Sequence, residues 1–388
     1  MFEKIIKQKL LRSLEKIQCG EIHLTTPEGN TFYFKAGKPG KSVDIILKDW
    51  RVIANLNIKG DIGLAEDYRD GFWETQNLTD LLIFGLENEK VFQGYITANF
   101  FYSWIARLGY LTQRNTVKQS KKNIHAHYDL GNDFYKLWLD ESMTYSSAIY
   151  KHNNETLQQA QHNKYDRILE KITSSGNILE IGCGWGGFAE RALQQGHTSI
   201  KGITLSQQQQ QYAAMRLSKY ERSANIVIED YRHQQGHYSN IVSIEMIEAV
   251  GKKYWPTYFK KLKSLLKPQG KIFLQSIVIN DDLFKKYAKG TDIIRTHIFP
   301  GGMLPSKKIL YARIKQAKLR CTDDYSFGLD YARTLSEWLQ RFVQQEARLL
   351  ELGFDKRFQR MWKFYLSSCI AAFQQKRIDV VQLEITHV

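Results

Sequence analysis

From residue 179 the chain reads Leu179-Glu180-Ile181-Gly182-Cys183-Gly184-Trp185-Gly186-Gly187, a strand-like start running into closely spaced glycines. Such a loop lets the backbone turn sharply and lie close against a ligand at the carboxyl end of a strand, just before a helix. A dinucleotide pyrophosphate is one candidate ligand. Glu180 argues against it, because a carboxylate ahead of the first glycine repels a pyrophosphate but accepts hydrogen bonds from a cationic amino acid. The loop also reads GxGxGG. Both features suit S-adenosylmethionine. The acid usual after the second strand of such a site is absent, and Gly202-Ile203-Thr204-Leu205-Ser206 offers hydroxyls instead. A second candidate for chemistry is Glu248, placed just after an apolar strand and so not a surface carboxylate.

Periodicity supplies the elements that would position these residues. It predicts a helix over 155–172, a strand ending at Ile181, a helix through Leu193, a strand over 199–204, a helix over 207–218 and a strand over 225–228. A strand over 240–244, a helix over 256–266, a turn at 267–270 and a strand over 271–278 complete the series. Strand–helix alternation of this kind makes an α/β, doubly wound parallel sheet covered on both faces. Residues 1–122 differ and read as a small α+β domain. A basic amphipathic helix over 2–17 precedes strands at 21–26 and 31–35, joined by a turn at 27–30, and a third run at 43–47. That helix suits either a membrane surface or docking on its own domain, with docking the commoner case. The aromatic segment 95–112 suits a lipid interface or domain packing equally. Arg114, Lys118, Lys121 and Lys122 mark the linker to a second domain at 123–388.

Composition narrows the partners. The 388 residues carry 55 Lys+Arg against 40 Asp+Glu, a formal charge of +15, which calls for nucleic acid, an anionic membrane or an acidic substrate. A nucleic-acid amino-methyltransferase would carry (D/N)PP(Y/F) after the fourth strand. Here that place reads Ile244-Glu245-Met246-Ile247-Glu248, so nucleic acid is not expected. Seven lysines and no acid lie between Lys252 and Lys271, a face suited to anionic headgroups. The four cysteines form no CxxC, which fits free thiols in a reducing compartment. No metal site is expected, His125 and His127 lacking companion ligands. The start of the chain does not read as a signal peptide, and no run reaches the ~20 apolar residues of a membrane span. Localisation is expected to be cytoplasmic, with peripheral membrane association.

Several further stretches complete a pattern: His127-Tyr128-Asp129-Leu130-Gly131-Asn132-Asp133, Met143-Thr144-Tyr145-Ser146, Glu229-Asp230-Tyr231-Arg232, Val242-Ser243 leading into Ile244 to Glu248, Ile298-Phe299-Pro300-Gly301-Gly302, and Phe327-Gly328-Leu329-Asp330-Tyr331. With the glycine loop, they resemble the cyclopropane fatty acid synthases and their mycolic acid relatives across essentially all of 123–388, and more weakly before it. The resemblance implies a Rossmann-like class I methyltransferase domain with a helical, lipid-covering insertion. It implies that Tyr145, Ser146, Gly182, Gly184, Thr204, Leu205, Gln209 and Tyr231 line the S-adenosylmethionine site. Without the resemblance, Gln209 in its glutamine run would read as a solvated helix face.

In that family a cis alkene of an acyl chain attacks the sulfonium methyl, and a base removes a proton as the three-membered ring closes. The resemblance implies a bound bicarbonate as that base, held here by Glu248, Ile277 through its backbone, and Tyr331. Where the family has Cys this chain has Ser147, where it has a strand His this chain has Gln275, and Ala249 replaces a common His. The positive charge of a protonated His is therefore lost. Two routes stay open: ring closure with bicarbonate or Glu248 as base, or loss of another proton to give a methyl-branched unsaturated chain. A small-molecule N-methyltransferase and a non-catalytic lipid binder are the rival classes. The expected partners are unsaturated phospholipid acyl chains and an anionic membrane surface, and a homodimer is compatible with the chain.

Overall fold

The computed structural model describes residues 2–96, 130–172 and 176–388. The aromatic segment beyond residue 96, the linker cations, the boundary at 122, and His125, His127, Tyr128 and Asp129 lie outside them. Two compact units emerge: one gathers the described residues of 1–112 with 289–298 and 342–377, the other those of 113–288 with 299–341 and 378–388.

In the first unit, β1 (Cys19–Thr25), β2 (Thr31–Lys35), β3 (Lys38–Leu47) and β4 (Trp73–Glu74) form a sheet in the order β2-β1-β3-β4. β1 and β2 pair antiparallel as the expected hairpin, its turn closed by Gly29 N–H on the Thr26 carbonyl at 2.8 Å. The helix Phe2–Leu14 buries Ile6, Leu10 and Leu14 and meets the helix Arg51–Lys59. Its apolar stripe is thus spent on its own unit, the plainer reading of a basic amphipathic helix.

In the second unit, seven strands are ordered β10-β11-β9-β8-β5-β6-β7. They are β5 (Ile178–Ile181), β6 (Ile200–Thr204), β7 (Ala224–Ile228), β8 (Tyr238–Ile244), β9 (Leu266–Ile279), β10 (Leu319–Ser326) and β11 (Ile378–His387). β9, β8, β5, β6 and β7 run parallel, and all of β5 is buried, as a central parallel strand must be. From β5 the chain winds outward through β6 and β7, then returns to the other side through β8 and β9. The order reverses at β5, and a crevice opens at the carboxyl ends of β5, β6 and β8.

The sheet is mixed rather than wholly parallel, which corrects the expectation. β11 lies antiparallel to β9, and β10 antiparallel to β11. Periodicity places neither strand, because acids interrupt both. Tertiary contacts absorb these charges: Asp323 meets Arg167 at 2.6 Å and also Lys171, while Glu384 meets Lys271 at 3.1 Å. The expected turn at 267–270 is likewise part of β9. Pairing jumps from Tyr238–Leu266 to Asn240–Lys271, so five residues of β9 (271 − 266) advance against two of β8 (240 − 238), a large bulge.

Helix starts follow capping chemistry. Thr156 and Gln159 form a reciprocal capping box before the helix Leu157–Leu169, and Ser206 caps Gln207–Arg216. Gly186 precedes the helix Gly187–Gln194 at φ 84°, and a Cβ there would lie 3.1 Å from that of Ala213. Gly196, at φ 89°, has open space around it. Gly196→Ala should therefore lose only the ~1–2 kcal/mol of a left-handed L-residue. Gly186→Ala should lose a further ~1–3 kcal/mol from overpacking. Equal urea midpoints for the two variants would show that the helix start does not depend on this close approach.

Candidate functional site

The crevice holds a cavity lined by Tyr145, Ser146, Gly182, Gly184, Thr204, Leu205, Gln209 and Tyr231, all eight of the residues expected around S-adenosylmethionine. β5 delivers Glu180 and the glycine turn, and Gly182 at φ 82° lets the loop pass Met246, whose Cγ would sit 3.0 Å from a Cβ. β6 ends on Thr204, whose hydroxyl donates to Gln209 Oε1 at 2.8 Å. Gln209 is buried, so it is not a solvated helix face. After β7, Tyr231 packs edge-on against Tyr258, while Asp230 is held by Arg232 at 2.6 Å.

Charge in this cavity is distributed unevenly. Glu180 is buried, its Oε2 has no hydrogen-bond partner, and burial pushes its pKa up to about 8. A buried carboxyl oxygen without a donor, on the wall of a ligand-sized cavity, suits a cationic ligand. S-adenosylmethionine therefore fits. Glu180 would face its cationic portion, Thr204 and Gln209 its ribose hydroxyls, and Tyr231 its adenine. Lys164 is the buried cation of the region. Its Nζ donates to Ser146 Oγ and to Gln161 Oε1, each at 2.7 Å, and burial lowers its pKa. Lys164 escaped the sequence reading, although its place on the apolar stripe of Leu157, Ala160 and Ile168 was a legible signal.

Beside Tyr145 stands an aromatic wall. Its ring lies 5.3 Å from both Trp138 and Trp338 and stacks on Phe299 at 6.3 Å, and Trp338 meets Tyr331 edge-on at 5.9 Å.

Glu248 and Ile277 meet off the cavity wall, whereas Tyr331 bonds to Glu245. Glu248 Oε1 accepts from the Ile277 N–H at 2.6 Å and the Ser276 hydroxyl at 2.9 Å, while Oε2 is enclosed without a partner. Glu245, on the cavity wall, accepts on Oε1 from the Ser147 N–H at 2.9 Å and Gln275 Nε2 at 2.8 Å. Its Oε2 accepts from the Tyr331 hydroxyl at 2.9 Å. The donors expected around a bicarbonate are thus already committed to side-chain carboxylates, and the residues present do not fit that group. Glu245 was missed by sequence reasoning. Its one signal was a second acid three residues before Glu248.

Burial and the charge of Glu245 push Glu248 up to about 8. An acid whose folded pKa exceeds its ordinary 4.5 adds stability below pH 4.5 and loses it as pH rises toward 8. Glu248→Gln should match the parent's Tm near pH 4.5 and lead it by several degrees at pH 8, given ~2–4 °C per kcal/mol. Parallel Tm curves over that range would show that Glu248 is not held protonated.

With this geometry in place, comparison with known proteins is direct. A family model described as mycolic acid cyclopropane synthetase matches residues 115–383. The tuberculostearic acid methyltransferase of Mycobacterium tuberculosis is 36% identical over 345 residues, 83% of this chain and 78% of that protein. The cyclopropane-fatty-acyl-phospholipid synthase of Escherichia coli is 33% identical over 355 residues, 88% of this chain and 87% of that one. A crystal structure of a mycolic acid cyclopropane synthase complexed with SAH and CTAB matches with TM-score 0.64 at 29% identity, over 68% of this chain and 97% of that chain. The fold is that of the class I methyltransferases, and the chain belongs to the mycolic acid cyclopropane synthetase family, enzymes that depend on S-adenosylmethionine.

Proposed function

We propose that this enzyme methylates the cis double bond of an unsaturated acyl chain in a membrane phospholipid and closes a cyclopropane ring. The observation that carries the reading is the meeting of an aromatic wall, Tyr145 with Trp138, Trp338, Phe299 and Tyr331, with the carboxylate of Glu245 beside the methyl-donor cavity. An alkene is a weak, uncharged nucleophile, and its attack leaves a cation on carbon. Ring faces and a fixed carboxylate stabilise that cation as it develops. S-adenosylmethionine supplies the methyl group on a sulfonium. Tyr145 lines the cavity and the buried Trp338 backs its ring, an apolar surface that would keep water from the cation. Glu248, fixed by Ile277 and Ser276, and Tyr331, bonded to Glu245, hold the protons at the ring-closing end.

A methyl-branched unsaturated product is the second reading. Gln275 takes the place of the family's cationic His, and one relative is named as a tuberculostearic acid methyltransferase. Expression in a host with unsaturated phospholipids, followed by mass spectrometry of its fatty acids, separates the readings. A gain of one CH₂ with loss of the alkene is the expected outcome, whereas a gain with the alkene kept means branching. Unchanged lipids together with methylation of an added amine would overturn both.

The lysines support docking at an anionic bilayer. Lys252, Lys253, Lys260 and Lys267 are exposed, and each lysine near such a surface contributes ~1 kcal/mol. No helix among the described residues is long and apolar enough to cross a membrane. Replacing these four by Glu should abolish salt-sensitive binding to anionic liposomes while leaving activity on detergent-dispersed lipid. Unchanged liposome binding would reject this docking face.

A further inference from the structure

Glu245 receives more than an ordinary buried acid does. Three donors from separate segments converge on its carboxylate: the Ser147 N–H, the Gln275 amide of β9, and the Tyr331 hydroxyl. The Gln275 amide is itself oriented, because its Oε1 accepts from Gln382 Nε2 at 3.2 Å, and Gln382 Oε1 accepts from Arg167 at 3.1 Å. Gln275 also takes the Glu245 backbone N–H on its carbonyl at 2.9 Å. A neutral glutamine thereby presents a fixed N–H to an anion, which a free amide rotor would not.

The backbone at Glu245 is strained, at φ 51°, in the left-handed region that costs an L-residue ~1–2 kcal/mol. Strain of this kind persists where surrounding structure imposes it, and it gathers at working sites. The neighbouring pair also divides its charge. Glu245 has three donors and the nearby Lys164 ammonium, whereas Glu248 has two donors and an oxygen with none. Burial raises the pKa of Glu245 as well, but the three donors and Lys164 oppose that rise, so of the two coupled carboxyls Glu245 is the better stabilised as an anion.

We propose that Glu245 is the enzyme's built-in proton acceptor, its carboxylate standing where the family's bicarbonate would be held, so that turnover needs no bicarbonate. The inference rests on the alkene-methylation reading. The alkene π pair forms the new C–C bond to the methyl, the C–S pair stays on sulfur, and the neighbouring carbon is left cationic. A Glu245 oxygen then takes a proton from the new methyl, and the C–H pair closes the ring onto the cation. Glu245, now neutral, returns its proton to water before the next cycle.

Because glycine prefers positive φ, Glu245→Gly should fold while leaving a carboxylate-sized space among intact donors. The test uses the full chain, S-adenosylmethionine and dispersed unsaturated phospholipid in CO₂-depleted buffer. The parent should work at the same rate with or without added bicarbonate and show no bicarbonate binding by calorimetry. Glu245→Gly should fall by ~10²–10⁴-fold, the usual worth of a positioned base, then recover on adding bicarbonate or formate and bind bicarbonate measurably. Glu245→Gln should fall equally and not recover, its amide filling the space. A parent that requires bicarbonate would overturn the proposal, and so would either variant keeping the parent rate in depleted buffer. So would a folded, S-adenosylhomocysteine-binding Glu245→Gly that neither anion restores. Failure of the parent to alter any lipid would instead overturn the function on which the proposal rests.

Discussion

A carboxylate withdrawn from water must be given donors where it lies, and at Glu245 that requirement organises the second unit. The donors come from 98, 86 and 30 residues away along the chain. One closes the segment before the helix Leu157–Leu169, one stands on the strand β9, and one on the helix Gly328–Gln344. Breaking any of the three leaves a buried charge short of a partner, a cost of several kcal/mol that neighbouring packing cannot return. The mixed sheet contributes to the same site, because β11 brings Gln382 to Gln275 and so orients the amide that faces Glu245.

The opposite side of the cavity is built on the reverse logic. Glu180 is buried with an oxygen left without a donor, and the charge of Lys164 relieves only part of that burial. The ammonium of a bound amino acid portion would complete that site on arrival. One carboxylate is thus kept waiting for its partner from outside, and the other is satisfied from within.

The high aromatic content and the charge of +15 acquire separate places in the structure. Rings gather beside Tyr145, where a cation on carbon would need them. The lysine run between Lys252 and Lys271 lies along the helix Trp255–Leu265 and its flanks, and it buries Trp255, Tyr258, Phe259 and Leu262 while turning lysines outward.

The parallel strands and the glycine turn were legible because their signals are local, whereas the eight cavity residues came from the family resemblance, without which Gln209 reads as a solvated helix face. Apolar alternation, a capping residue and a glycine at a forced turn each act within a few positions of sequence. Strands β10 and β11 were not legible, since Asp323 and Glu384 read as breaks until Arg167, Lys171 and Lys271 are brought beside them. Glu245 is the sharpest case. It stands in the stretch that marks the family, yet its neighbours in sequence say nothing of Ser147, Gln275 or Tyr331. The sequence by itself determined the fold class and the kind of methyl donor, because periodicity and turn chemistry are written residue by residue. Which carboxyl receives which donors was decided only by tertiary structure, because folding alone brings Ser147, Gln275 and Tyr331 within reach of Glu245.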